Sequence, residues 1–189
     1  MNEITIISSQ SELINTLKSR EIINLNREAL KKFYQFYIES INMIPKNSVH
    51  VEIIPHLLGI KRDELSFGPY PTVSLFEAAN RICSDLTLMH GCHKLFTDRK
   101  DIHYFSCCFG TVQGVDLIGY NRQGKEVIKA EVFCTSEKLF KPKVRKEVGK
   151  GCTHFIFQRI DSDSITNFIA AKNELNFYPV DINSTPTLI

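Results

Sequence analysis

The sequence predicts an α/β (α+β) domain in which a mixed β-sheet is flanked by helices. Three observations predict it. A helical apolar stripe over residues 74–89 is followed by three short strand-like runs, a short basic helix and a fourth run. Asn121-Arg122-Gln123-Gly124 has the chemistry of a tight hairpin turn, with Gly124 free to take positive φ. The strands on either side of the basic helix suit a parallel pair joined by a right-handed crossover. The 189 residues suit one domain with an N-terminal elaboration.

The elements follow in chain order. Residues 11–44 read as helical, in one or two pieces, because Leu13, Ile14 and Leu17, then Ile22, Ile23 and Leu25, then Leu30, Phe33, Tyr34 and Tyr37 recur at helical intervals. Pro45 ends the region. The apolar stretch 49–58 is broken by Pro55, and 59–71, with Gly59, Gly68, Pro69 and Pro71, reads as a connecting loop. Leu75, Ala79, Ile82, Leu86 and Met89 form the stripe of the next helix, which Gly91 is expected to end or bend. Strands are expected over 102–109, 115–120 and 126–134. Pro142, Val144, Val148 and Gly149 mark the short helix. A strand over 153–160 is followed by a capped helix from Ile165 to Leu175, and residues past Pro179 read as a tail. The expected organisation is an N-terminal helical extension over 1–70, a core over 71–178 and a C-terminal tail over 179–189.

Composition narrows the class. No apolar run approaches the length of a membrane span, and MNEITIISSQ lacks a signal pattern, so a cytoplasmic protein is expected. The six cysteines show neither a disulfide-framework spacing nor a C-x-x-C pair, which suits a reducing compartment. The net charge of +2 is too small to imply a nucleic-acid partner by itself.

Two acids stand out in the hairpin. Glu131 shares a strand face with Val127, Lys129 and Phe133, and Asp116 shares one with Ile118 and Tyr120. Carboxylates brought together repel each other, and desolvation penalises both. A divalent cation such as Mg²⁺, which takes oxygen ligands and keeps several waters, would balance them. The competing reading puts either acid at a sheet edge, or pairs Glu131 with Lys129 in solvent.

The order helix, three strands, helix, strand, with an acid on the second strand and another on the third, resembles the core of the PD-(D/E)xK nuclease superfamily, to which many restriction endonucleases belong. The resemblance covers about residues 74–160 and implies a restriction-endonuclease-like core in the order αβββαβ(α). Asp116 in GVDLIGY is similar to the family's metal-binding aspartate and Glu131 in KAEVF to the acid of its E-x-K element. Glu77 in SLFEAANR matches a further acid by position, although Ser74-Leu75-Phe76-Glu77 is also a capping box that accounts for the glutamate. The activity implied is Mg²⁺-dependent cleavage of DNA by phosphodiester hydrolysis. The match departs from the family at the lysine two residues after Glu131, where Phe133 stands, and at the proline before the aspartate, where Val115 stands. Lys129, Lys138 and Lys141 are the candidate substitutes for that lysine. A catalytically inactive relative that binds nucleic acid or a protein is the competing reading.

The stretch SEKLFKPKVRKEVGK supplies Lys138, Lys141, Lys143, Arg145 and Lys146 as candidate phosphate contacts, against the alternative of a solvated helix face. His90, Cys92, His93, His103, Cys107 and Cys108 do not show the paired spacing of a structural zinc site and read better as core. Tyr34, Phe36 and Tyr37 beside Phe33 make one aromatic face too wide for a narrow stripe. It suits a helix buried on two sides or a contact with a second subunit, and a homodimer would fit a nuclease that addresses two strands.

Overall fold

The computed structural model describes residues 3–42, 75–109 and 115–184, without the side chains at 41–42 and 75–79. The expected stretches 49–58 and 59–71 lie outside the described residues.

α1 (Gln10–Ser19) starts where the Glu12 amide donates to Ser9 Oγ at 3.2 Å, and it stops at Arg20, whose φ of 53° breaks the helical path. There follow β1 (Ile23–Leu25), α2 (Arg27–Asn42), α3 (Leu75–Asp98), β2 (Tyr104–Cys107), β3 (Leu117–Tyr120), β4 (Glu126–Phe133), α4 (Glu137–Val148), β5 (His154–Gln158), α5 (Asp163–Ala170) and β6 (Asn176–Val180). The described residues form a mixed α+β fold on a six-stranded sheet in the spatial order β1-β2-β3-β4-β5-β6. β1 through β4 pair antiparallel, while β4–β5 and β5–β6 pair parallel. The hairpin turn sits at Asn121–Lys125, where Gly124 has a φ of 73°. No helix among the described residues is long and apolar enough to cross a membrane.

The sheet separates two cores. On one face Ile128 and Ala130 of β4 and Ile156 of β5 pack with α1, α2 and α3 through Leu13, Leu30, Phe33, Leu86 and Met89. Phe133, Phe155 and Phe157 form the other core with Phe140, Val144 and Ile165 of α4 and α5. Alternate residues of one strand serve different cores because strand side chains alternate in direction.

Four elements depart from the sequence expectation. The helical reading of 11–44 is interrupted by β1, whose Asn24 pairs with Ser106, so the expected helical extension adds a strand to the sheet. Its β-branched Ile23, with Ile22 just before it, suits a strand as well as a helix, and periodicity cannot separate them over so short a run. α3 does not stop at Gly91 but runs to Asp98. A Cβ on Gly91 would lie 2.4 Å from Ile156 Cγ2, so this glycine lets helix and sheet approach closely. The expected tail from 179 begins inside β6, where Pro179 is tolerated because β6 is the sheet's last strand and needs no further partner. The expected helix to Leu175 stops at Ala170.

Candidate active site

The hairpin register places the two acids. Leu117 lies opposite Ala130, so one residue earlier Asp116 lies opposite Glu131, on the same side of the sheet. Asp116 precedes β3 by one residue and is pinned by its neighbours. The Val132 amide donates to its Oδ2 at 2.9 Å, and the Cys108 amide donates to its carbonyl at 3.4 Å. Both carboxylates line one cavity of about 490 Å³ between α3 and α4, at the end of β4.

Burial pushes Asp116 up to about 6, opposed by the Val132 hydrogen bond and reinforced by Glu147. Burial also pushes Glu131 up to about 7, with the Asp116 charge adding in the same direction and Lys150 and Lys143 opposing. Among the described residues no lysine or arginine nitrogen comes within ion-pair distance of either acid. The site therefore concentrates negative charge that the fold itself leaves only partly balanced.

The cations that line the cavity come from two helices, Arg81 from α3 and Lys143 and Lys146 from α4. Lys143, Lys146 and Glu147 recur at i, i+3 and i+4 on one face of α4, and Lys150 follows in the turn after the helix ends at Val148. Lys143 and Lys146 line the cavity with Glu147, and Lys143 Nζ stands 5.5 Å from the centre of the Phe133 ring. Glu147 is a third acid near the pair, but Lys150 Nζ holds it at 2.8 Å. From α3, Arg81 and Asp85 complete the opposite wall, and the Tyr37 hydroxyl donates to Asp85 Oδ2 at 2.6 Å.

The other candidates separate from this group. Lys129 is absent from the cavity wall and pairs instead with Glu126 at 3.3 Å in solvent, so the proposed Lys129–Glu131 pair is not formed. Strand geometry explains this. Lys129 is two residues nearer the turn than Glu131, and its flexible head finds a closer carboxylate there. Lys141 Nζ donates to Ser164 Oγ at 2.6 Å, on α5 rather than on the hairpin. Lys138 and Arg145 are exposed on α4 outside the cavity wall. Glu77 lies on α3, but its side chain and the capping residue Ser74 are outside the described residues. Phe133, at the lysine position, is 6 % exposed and stacks on Phe157 at 6.2 Å. Cys92 and Cys107 are buried as small apolar residues, and His90 packs edge-on against Tyr34. Among the described residues no three His, Cys, Asp or Glu side chains gather as a metal-binding group, so the candidate donors number two.

Comparison with protein-family models, with curated proteins and with solved structures found no match to this chain.

Proposed function

We propose that the chain is a Mg²⁺-dependent nuclease of the PD-(D/E)xK type that hydrolyses phosphodiester bonds in DNA. One observation carries this reading: Asp116 and Glu131, from adjoining strands, face a single cavity, and both are held well above the ordinary carboxylate range. The order αβββαβα from α3 through α5, which β6 then extends, supports it.

The donor set fits the ion. Mg²⁺ is commonly held by one or two carboxylates and retains several waters. Asp116 and Glu131 would hold it, and a group of three protein acids is not required. When bound, the ion supplies charge to a phosphate oxygen and acidity to a coordinated water. The chain's own residues do the rest. The Val132 amide fixes the Asp116 carboxylate. Lys143 takes the part of the lysine that Phe133 displaces, its charge acting on both acids and its Nζ 5.5 Å from the centre of the phenylalanine ring. There it would meet the negative charge that grows on a phosphoryl group during hydrolysis. Lys146 extends the cationic wall, and Lys138, Lys141 and Arg145 follow it along α4, where they would position a nucleic-acid backbone without reading its sequence.

The test is cleavage of duplex and single-stranded DNA by the full chain with Mg²⁺. Nicking is expected, abolished by Asp116→Ala and reduced about 10²- to 10³-fold by Lys143→Ala, with both variants folded. Correctly folded wild-type protein that cleaves neither substrate would refute the reading. One observation favours a second reading, a nuclease-like protein that only binds: Phe133 is fully committed to the aromatic core. That protein would bind DNA in a salt-sensitive way, without turnover and without stabilisation by Mg²⁺.

A further inference from the structure

A second cavity, of about 520 Å³, lies at the turn end of the hairpin, and among the described residues it shares none with the acidic cavity. Three segments build it: the first turn of α2, the α3–β2 connection over residues 100–103, and the β3–β4 turn. Its volume falls within the ~300–1,000 Å³ that takes a small ligand. Among the described residues that line it, only Ile102 is apolar, so the wall offers charge and hydrogen bonds and almost no stacking surface.

That wall is rich in donors and poor in acceptors. Arg27, Lys100 and Arg122 bring one cation from each segment. Arg27 is set in place, since it donates to the Phe96 carbonyl and its guanidinium lies 4.8 Å from the centre of the Phe96 ring. Lys100 and Arg122 are exposed, and among the described residues neither meets a carboxylate within ion-pair distance. The acceptors are largely spent. Arg99 holds both Asp101 oxygens, at 2.9 and 2.8 Å. The Asn26 side-chain oxygen accepts from the Ala29 amide at 2.9 Å, and the Asn121 oxygen accepts from the Gln123 and Lys125 amides at 3.0 and 2.9 Å. What each asparagine has left to offer is its NH₂ group. Glu28 is the remaining carboxylate of the wall, set against three cations. The Leu30 amide is taken by the Asn26 carbonyl, which leaves the Arg27 and Glu28 amides at the positive end of the α2 dipole.

We propose that this cavity binds the phosphoryl group of a small, polar, phosphorylated molecule. Donors that converge from three segments match an anion with several strong acceptor oxygens, and a phosphoryl group carries three. The scarcity of apolar wall leaves a nucleobase or a lipid chain nothing to pack on, so the rest of the ligand is polar, as in a sugar phosphate. Arg27 and the α2 amides would form the fixed part of the cradle. Lys100 and Arg122 would complete the countercharge from the other two segments, and the asparagine NH₂ groups would meet the remaining oxygens. The proposal uses none of the residues assigned to cleavage and holds whether or not the chain is a nuclease.

The experiment titrates the full chain, without Mg²⁺, with inorganic pyrophosphate and with glucose 6-phosphate, by calorimetry and by NMR of the backbone amides. Saturable binding of both is expected, with the largest amide shifts at Arg27, Glu28, Arg122 and Gln123. Lys100→Ala and Arg122→Ala, both at exposed positions, should each weaken binding about tenfold with the melting temperature unchanged. The wild-type shifts decide the location even if a variant misfolds. Shifts centred on Lys143 and Lys146 instead, binding that survives both substitutions unchanged, or no binding at millimolar ligand would overturn the proposal. Displacement of pyrophosphate by duplex DNA would overturn it too, by assigning the surface to a nucleic-acid backbone.

Discussion

Strand β4 carries a glutamate at each end, and the two live in opposite circumstances. Glu126, beside the turn, meets Lys129 at 3.3 Å, with about half of each side chain in water. Such a pair is satisfied by solvent and contributes little. Glu131, five residues on, is half-buried opposite Asp116 and is pushed up to about 7. The strand is the same and so is the residue type. What differs is the supply of countercharge. At the turn, a lysine neutralises the acid. At the other end the lysine position is taken by a core phenylalanine, and the cations that line the cavity, Arg81, Lys143 and Lys146, stand beyond ion-pair distance of the two acids. A fold that needed only stability would not keep two uncompensated acids face to face, and this imbalance is what points to a cation from solution.

The largest effect is expected where the imbalance is removed outright. Asp116→Ala should lower Mg²⁺-dependent cleavage on the order of 10³-fold or more while leaving the melting transition intact, as read by parallel nicking and thermal-unfolding assays. Phe133→Lys tests the strand from its core side. The ring contacts Phe140, Phe155 and Phe157, so the change buries a charge and empties an aromatic site at a cost of about 3–5 kcal/mol in chemical denaturation. A folded variant that cleaves better would instead show position 133 to be open to the site.

A smaller and opposite effect is expected from Asp116→Asn. The folded protein holds Asp116 and Glu131 at about 6 and about 7, above their ordinary 3.8 and 4.5. The folded state therefore binds more protons than the unfolded state between these values. Stability is fullest below the unfolded values and falls as pH rises through the folded ones. In the absence of Mg²⁺, Asp116→Asn should raise stability at neutral pH by about 1–2 kcal/mol, and Glu131→Gln by less, because solvent screens its half-exposed head. Both gains should vanish below about pH 4, which denaturation across pH will show. The smallest effect belongs to the turn. Lys129→Ala should change stability by no more than about 0.5 kcal/mol and leave cleavage untouched.

Much of this contrast was legible in the residues. The turn at Gly124, the strand alternation around Glu131 and the helix carrying Pro142 all follow from local rules, and together they bring Asp116 to Glu131. Lys143 was legible as a phosphate contact but not as part of the wall of the acids' cavity, since its position depends on how α4 packs over Phe133. Its spacing from Lys146 and Glu147 on one helix face was the available signal. β1 and β6 were hidden for a different reason. Three residues within a helical pattern, and five that include a proline, become strands only through the partners beside them.

The most direct measurement is a calorimetric Mg²⁺ titration of the wild-type chain, Asp116→Asn and Glu131→Gln at about pH 7.5, with melting temperatures recorded on the same samples. The wild-type chain should bind Mg²⁺ and melt higher in its presence, and each substitution should remove both responses. Mg²⁺ binding and stabilisation that persist unchanged in both variants, or a wild-type chain indifferent to Mg²⁺, would contradict the shared-cation site.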